Sequence, residues 1–160
     1  MIMNTENLMS DIFKDIASNK KARFEYEILE TFEAGLVLKG TEVKSLRNGK
    51  ANINESYGRI INGELFICQM NVSVYEHGNR YNHDPLSVRK LLVHKKEIKK
   101  LTGKLHEKGL SLVALKLYFK NGRAKLLMGL GKGKTLYDKR QTMHKKTAEM
   151  DMKRELKNRR

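Results

Sequence analysis

Two Asn-Gly pairs, Asn62-Gly63 and Asn121-Gly122, each stand between stretches of alternating apolar residues, and they limit the possible folds more than any other feature. A two-residue hairpin turn needs positive φ at its central positions, which asparagine and glycine tolerate, and its twist matches that of paired antiparallel strands. The first pair predicts strands over 56–61 and 64–75, with Phe66, Cys68, Met70, Val72 and Val74 on one face of the second. The second pair predicts strands over 110–119 and 123–130.

The same period of two starts at Arg23, where Phe24, Tyr26, Ile28 and Phe32 oppose Glu25, Glu27, Thr31 and Glu33. Gly35 and Gly40 bracket a short strand over 36–38, and another strand is expected over 88–93. Thr41 is placed to cap a short helix through Asn48, with Val43 and Leu46 inward and Gly49 as its stop. A second helix over 95–107 turns Ile98, Leu101 and Leu105 inward and its lysines outward. Leu8, Ile12 and Ile16, with Met9 and Phe13 alongside, predict a short, loosely docked N-terminal helix, and 76–85 reads as an exposed loop. About seven short strands with glycine corners predict a mainly β, closed or nearly closed antiparallel barrel. The expected architecture is an oligonucleotide-binding-like barrel with two or three short flanking helices and a basic C-terminal tail. Barrels of that kind bind nucleic acid on an outer strand face.

Charge points the same way. The net +15 divides into −2 over residues 1–18, +10 over 19–128 and +7 over 129–160. A basic body that ends in a basic arm suits a polyanion, because neutralising phosphates releases counterions. No apolar run approaches the length of a membrane-spanning helix, so membrane binding is the weaker explanation. As a helix, 142–160 would place only Ala148, Met152 and Leu156 on a thin apolar stripe. The tail is therefore expected to be disordered when free and to order against a polyanionic wall. Tyr137 among Lys132, Lys134, Lys139 and Arg140 has the composition of a stacking contact on unpaired bases.

Several chemistries are excluded. Residues 129–135 resemble a phosphate loop, but Met128 stands where that motif needs glycine, and a strand precedes instead of a strand–loop–helix unit. The stretch is expected to be a flexible basic hinge. His77, His83, His94, His106 and His144 are scattered without metal-ligand spacing, and no nucleophile–base set appears. No catalytic residue, metal or cofactor is expected. Cys68 lies on an apolar strand face and is expected to be a buried thiol. The acidic N-terminus lacks the features of a signal peptide, so a cytoplasmic location is expected. Strand parity turns Lys90, Leu92 and His94 outward, and likewise Lys125 and Leu127, giving an exposed mixture suited to phosphate, sugar and base. Glu33 on such a surface can accept hydrogen bonds from base amino groups or a 2′-hydroxyl.

Residues 19–28 (NKKARFEYEI), 32–35 (FEAG), 40–47 (GTEVKSLR), 89–92 (RKLL), 131–134 (GKGK) and 137–140 (YDKR) occur in that order. The set closely resembles the small protein B family, the SsrA-binding proteins of bacteria, from residue 19 to the C-terminus. The resemblance implies a variable extension over 1–18, an RNA-binding barrel over 19–130 and a basic tail over 131–160. It implies a monomer that binds the tRNA-like domain of transfer-messenger RNA through Glu33, Leu92, His94 and Lys125. His94 stands where the family commonly has asparagine. It further implies that Lys132, Lys134, Tyr137, Asp138, Lys139, Arg140 and Lys145 contact small-subunit rRNA in the decoding centre and empty mRNA channel during trans-translation. From composition alone the alternative is a structural ribosomal protein whose extension threads through rRNA.

Overall fold

In the computed structural model, which describes residues 11–107 and 109–159, both Asn-Gly pairs form the turns of antiparallel hairpins. Asn62 and Gly63 have φ of 52° and 73°, and Asn121 and Gly122 have 51° and 79°. The elements are β1 (Phe13–Ser18), α1 (Lys20–Glu25), β2 (Tyr26–Leu36), α2 (Gly40–Arg47), β3 (Ala51–Asn52), β4 (Tyr57–Ile61), β5 (Glu64–Cys68) and β6 (Asn71–Val72). They continue with β7 (Arg89–Leu92), α3 (Lys95–Leu105), β8 (Leu110–Lys120), β9 (Arg123–Gly133) and α4 (Leu136–Asn158).

The main sheet runs β1-β8-β4-β5-β7-β2-β9, and β8 also pairs with β9, which closes the strands into a barrel with β1 on its rim. Its long strands carry the closure. β8 pairs β9 from Leu110↔Lys132 to Lys120↔Arg123, and β2 pairs β9 from Tyr26↔Gly133 to Gly35↔Lys125. Alternate residues such as Phe32, Ala34, Leu65, Ile67, Leu91, Leu126 and Met128 fill the interior, with Leu46 of α2 and Leu101 of α3 closing onto it. Truncating one of these fully buried leucines to alanine is expected to cost about 2–5 kcal/mol.

Several expectations are corrected. Residues 13–18 form a strand and not a helix: β1 pairs with β8 from Phe13↔Lys120 to Ser18↔Lys116. Leu8 and Met9 lie outside the described residues. Residues 20–25 are helical although Phe24 and Tyr26 alternate. The cause is Asn19, whose Oδ1 accepts from the Ala22 N–H at 3.0 Å while its Nδ2 donates to Ala114 O at 2.8 Å and Ile53 O at 3.2 Å. The N-cap is thus bolted to the barrel wall. α1 covers Val113 and Leu115, and Leu127, expected to face outward, packs half-buried against that cluster. The expected 64–75 strand breaks at Gln69, whose φ of 58° ends β5, and β6 turns away to pair with β3. β2 continues through Gly35, so 36–38 is no separate strand. The expected hinge over 129–135 is strand through Gly133, and the Lys134 N–H donates to Glu25 O at 2.9 Å.

The loop before β7 is held by a buried polar network. Arg89 Nε donates to Glu42 Oε1 at 2.8 Å, and its remaining nitrogens donate to Met70 O, Asp84 O and Pro85 O at 2.7–3.3 Å. Glu42 Oε2 accepts from the Lys39 N–H at 2.8 Å, so α2 starts at Gly40 with Lys39 as its cap residue, not at Thr41. Thr41 Oγ1 instead meets His83 Nδ1 at 2.8 Å, and His83 Nε2 lies 2.8 Å from Val72 O. His83, read as a solvated loop histidine, is 4% exposed.

Candidate nucleic-acid interface

Strand register assembles the site. Leu92 of β7 is paired with Gly35 of β2, Gly35 with Lys125 of β9, and Lys125 with Tyr118 of β8, giving one row across four strands. Leu92 is 56% exposed because the pleat turns it out of the barrel. Gly35 leaves it room: a Cβ there would lie 3.2 Å from the Leu92 Cβ. Two residues on, His94 is the N-cap of α3 by its backbone, whose carbonyl accepts from Glu97 and Ile98 at 3.0 and 3.1 Å. Its ring makes no capping bond and remains available.

Glu33 lies two residues before Gly35 on the same strand face. The Tyr118 hydroxyl donates to its Oε2, and Lys120 Nζ lies 3.7 Å from its Oε1. Burial, followed by the bond to Glu33, raises the Tyr118 hydroxyl well above the ordinary tyrosine range, so it stays a donor. The carboxylate is thereby aimed before any ligand arrives.

Glu33, Leu92, His94 and Lys125, expected together as one RNA-binding set, line one open groove of about 510 Å³ with Lys90 and Lys95. Lys90 is neutralised by Glu64 at 3.1 Å, whereas Lys125 has no carboxylate within 4 Å among the described residues. Of these two strand lysines, Lys125 is the one with unspent charge for a phosphate. Elsewhere α3 is tied to β2 by Lys104, which donates to Glu30 and holds that carboxyl below its ordinary value.

The remaining predicted residues lie elsewhere. Lys132, Lys134, Asp138 and Lys145 share a second groove of about 390 Å³ with Glu27 and Thr142 where α4 leaves the barrel. Lys134 Nζ donates to Arg23 O at 3.2 Å and to Thr142 Oγ1 at 2.9 Å, and Lys146 Nζ lies 5.8 Å from the Phe24 ring centre. Asp138 is engaged in a capping box: its Oδ2 accepts from the Thr135 N–H and hydroxyl at 3.3 and 2.9 Å, and its own N–H donates to Thr135 Oγ1. Tyr137, Lys139 and Arg140 lie outside this groove, and Tyr137 is 70% exposed. The arrangement gives two grooves, one on the barrel where three lysines face three carboxylates and one at the root of the tail where three lysines face two. Among the described residues no group of three or more His, Cys, Asp or Glu is arranged to hold a metal, and no helix is long and apolar enough to cross a membrane.

Sequence reasoning missed Tyr118 and the buried Glu42–Arg89 pair. Tyr118 carried no signal because its aromatic ring is ordinary strand composition. Glu42 and Arg89 stood in the family-like segments, but nothing in the chain alone brings them together.

Comparison with known proteins gives a consistent picture. The family model described as SmpB protein matches residues 16–158. The SsrA-binding protein of Desulforudis audaxviator is 60% identical over 141 residues, covering 88% of this chain and 92% of that protein. That of Listeria welshimeri is 56% identical over 146 residues, covering 91% and 95% respectively. A chain from the solved structure described as "tmRNA-SmpB: a journey to the center of the bacterial ribosome" aligns with a TM-score of 0.65 and 50% identity, covering 77% of this chain and 87% of that one.

Proposed function

The chain belongs to the SmpB protein family, and on that premise we propose that it binds the tRNA-like domain of transfer-messenger RNA (SsrA) and brings it to stalled ribosomes in trans-translation. The observation that carries the barrel's part is the convergence of Glu33, Leu92, His94 and Lys125 on one groove. Each has a distinct role there. Lys125 holds a phosphate, Leu92 packs against an unstacked base or sugar, and His94 donates or accepts at a base edge. Glu33, aimed by Tyr118, accepts from an amino group or a 2′-hydroxyl.

The tail reads the vacant decoding site. Tyr137 stacks on unpaired small-subunit bases, Asp138 fixes the first turn of the helix, and Lys139, Arg140 and Lys145 meet phosphates along the empty mRNA channel. Lys132 and Lys134 guide the strand into that channel. An mRNA channel without mRNA is a phosphate-lined space that accepts a cationic helix. The protein catalyses nothing and works in the cytoplasm, by binding alone.

The test is a titration at physiological salt of the whole chain against labelled tRNA-like domain, with excess ordinary tRNA. Tight binding that survives the competitor is expected, and Lys125→Ala is expected to flatten the salt dependence by about one phosphate's worth. Binding erased by ordinary tRNA overturns the reading.

A further inference from the structure

The groove does not end at Leu92. Beyond that side chain lies a second depression of about 300 Å³ that shares Gly35, Leu92 and Lys125 with the first. Its walls differ in kind. Glu33, Glu64 and Glu97 line the first groove, whereas no carboxylate lines the second among the described residues. Leu36, Leu38, Val43, Phe119 and Ala124 form an apolar floor, and Arg123 stands beside Lys125 on the rim.

Both rim cations lack a counter-charge: among the described residues neither has a carboxylate within 4 Å. Nearby Lys120 is spent on Glu33 at 3.7 Å and Asp11 at 3.8 Å. An apolar floor under two free cations complements a nucleotide, whose base needs a dry surface and whose phosphate needs charge. The rim is also held in place. The Asn121 N–H donates to Ile12 O at 2.9 Å, the Ile12 N–H to Asn121 Oδ1 at 3.0 Å, and Asn121 Nδ2 to Asp11 Oδ1 at 3.0 Å. The residues leading into β1 thus fix the turn next to Arg123, so little ordering is needed on binding.

We propose that this depression holds one unpaired base of the RNA that occupies the neighbouring groove, with Leu92 as the partition and Arg123 and Lys125 on the flanking phosphates. The proposal rests on the RNA-binding reading above and extends its footprint. Because the floor offers no hydrogen-bonding side chain to a base edge, the site selects an unstacked base without selecting which one.

The test uses the full chain, the tRNA-like domain and three variants. Arg123→Ala removes a rim charge, Ala124→Leu fills the floor, and Lys153→Ala removes a cation far along α4. Arg123→Ala is expected to weaken binding about five- to tenfold and to lower the salt slope by about one. Ala124→Leu is expected to weaken it by about the same factor with the slope unchanged. Chemical probing should show one base protected by the wild type and by Lys153→Ala, yet reactive with the other two. Wild-type affinity, slope and protection in both Arg123→Ala and Ala124→Leu would overturn this site while leaving the groove intact. Failure of the wild type to bind at all would overturn the RNA-binding reading and this site with it.

Discussion

Strand β8 and helix α4 are both long single elements, but β8 buries most of its side chains between the barrel interior and α1, whereas α4 buries none along its 23 residues. β8 is held on one edge by β9 and on the other by β4 and β1, so its conformation is fixed by tertiary packing. α4 is held at its root by the Thr135–Asp138 capping box, by Lys134 and by Lys146 over the Phe24 ring, and none of its side chains is buried. An isolated helix of this length is marginal in water, and most helical stability in proteins comes from packing an apolar face. The contrast teaches where each part gets its order: the barrel from itself, the tail from whatever it binds. The free tail is accordingly expected to be largely unfolded in solution.

The largest expected effect separates the two functionally. Cutting after Lys134, which keeps the backbone bond to Glu25, should abolish tagging in a reconstituted translation assay and leave the barrel's melting temperature unchanged. Retained tagging would break the division. Arg89→Ala should remove about 3–5 kcal/mol from barrel stability in urea, because Glu42 would be left buried and unpaired. A loss below about 1 kcal/mol would mean the pair is solvated.

Tyr118→Phe sharpens the comparison through pH. The hydroxyl's pKa is raised in the fold above the unfolded value of about 10. Its protonated form is therefore the favoured one in the native state. Its contribution is complete below pH 10 or so and declines as pH rises toward the folded value. Urea titrations from pH 9 upward should show a steeper alkaline decline for the wild type than for Tyr118→Phe; parallel curves would mean the hydroxyl is not held by Glu33. Thr135→Ala has the smallest expected effect. It should remove about 1 kcal/mol from the first turn of α4, visible as lower helical circular dichroism in the cold, while barrel unfolding stays put. A shift in barrel unfolding would show that the tail helix is coupled to the barrel.

Hairpins were legible because Asn-Gly satisfies a local geometric demand that few residue pairs meet. The outward residues Lys90, Leu92 and Lys125 were legible because pleat parity survives any strand order, whereas His94 lies past the end of β7 and is placed by the start of α3. What stayed hidden was non-local. β1 reads as helix because Ile12 and Ile16 are four apart, and only the exposed edge of β8 makes it a strand. α1 depends on an asparagine whose partners lie 34 and 95 residues away. His83 reads as solvated because a polar side chain carries no sign of partners supplied by α2 and β6, and the partner that α2 supplies to Arg89 is hidden for the same reason.

The most direct test of the two-part division is a paired titration of the tRNA-like domain, against excess ordinary tRNA, with the full chain and with residues 1–134. Equal affinities, within about a factor of two, are predicted, since the groove lies wholly on the barrel. A loss of about tenfold or more on removing the tail would contradict it and make α4 part of the RNA grip.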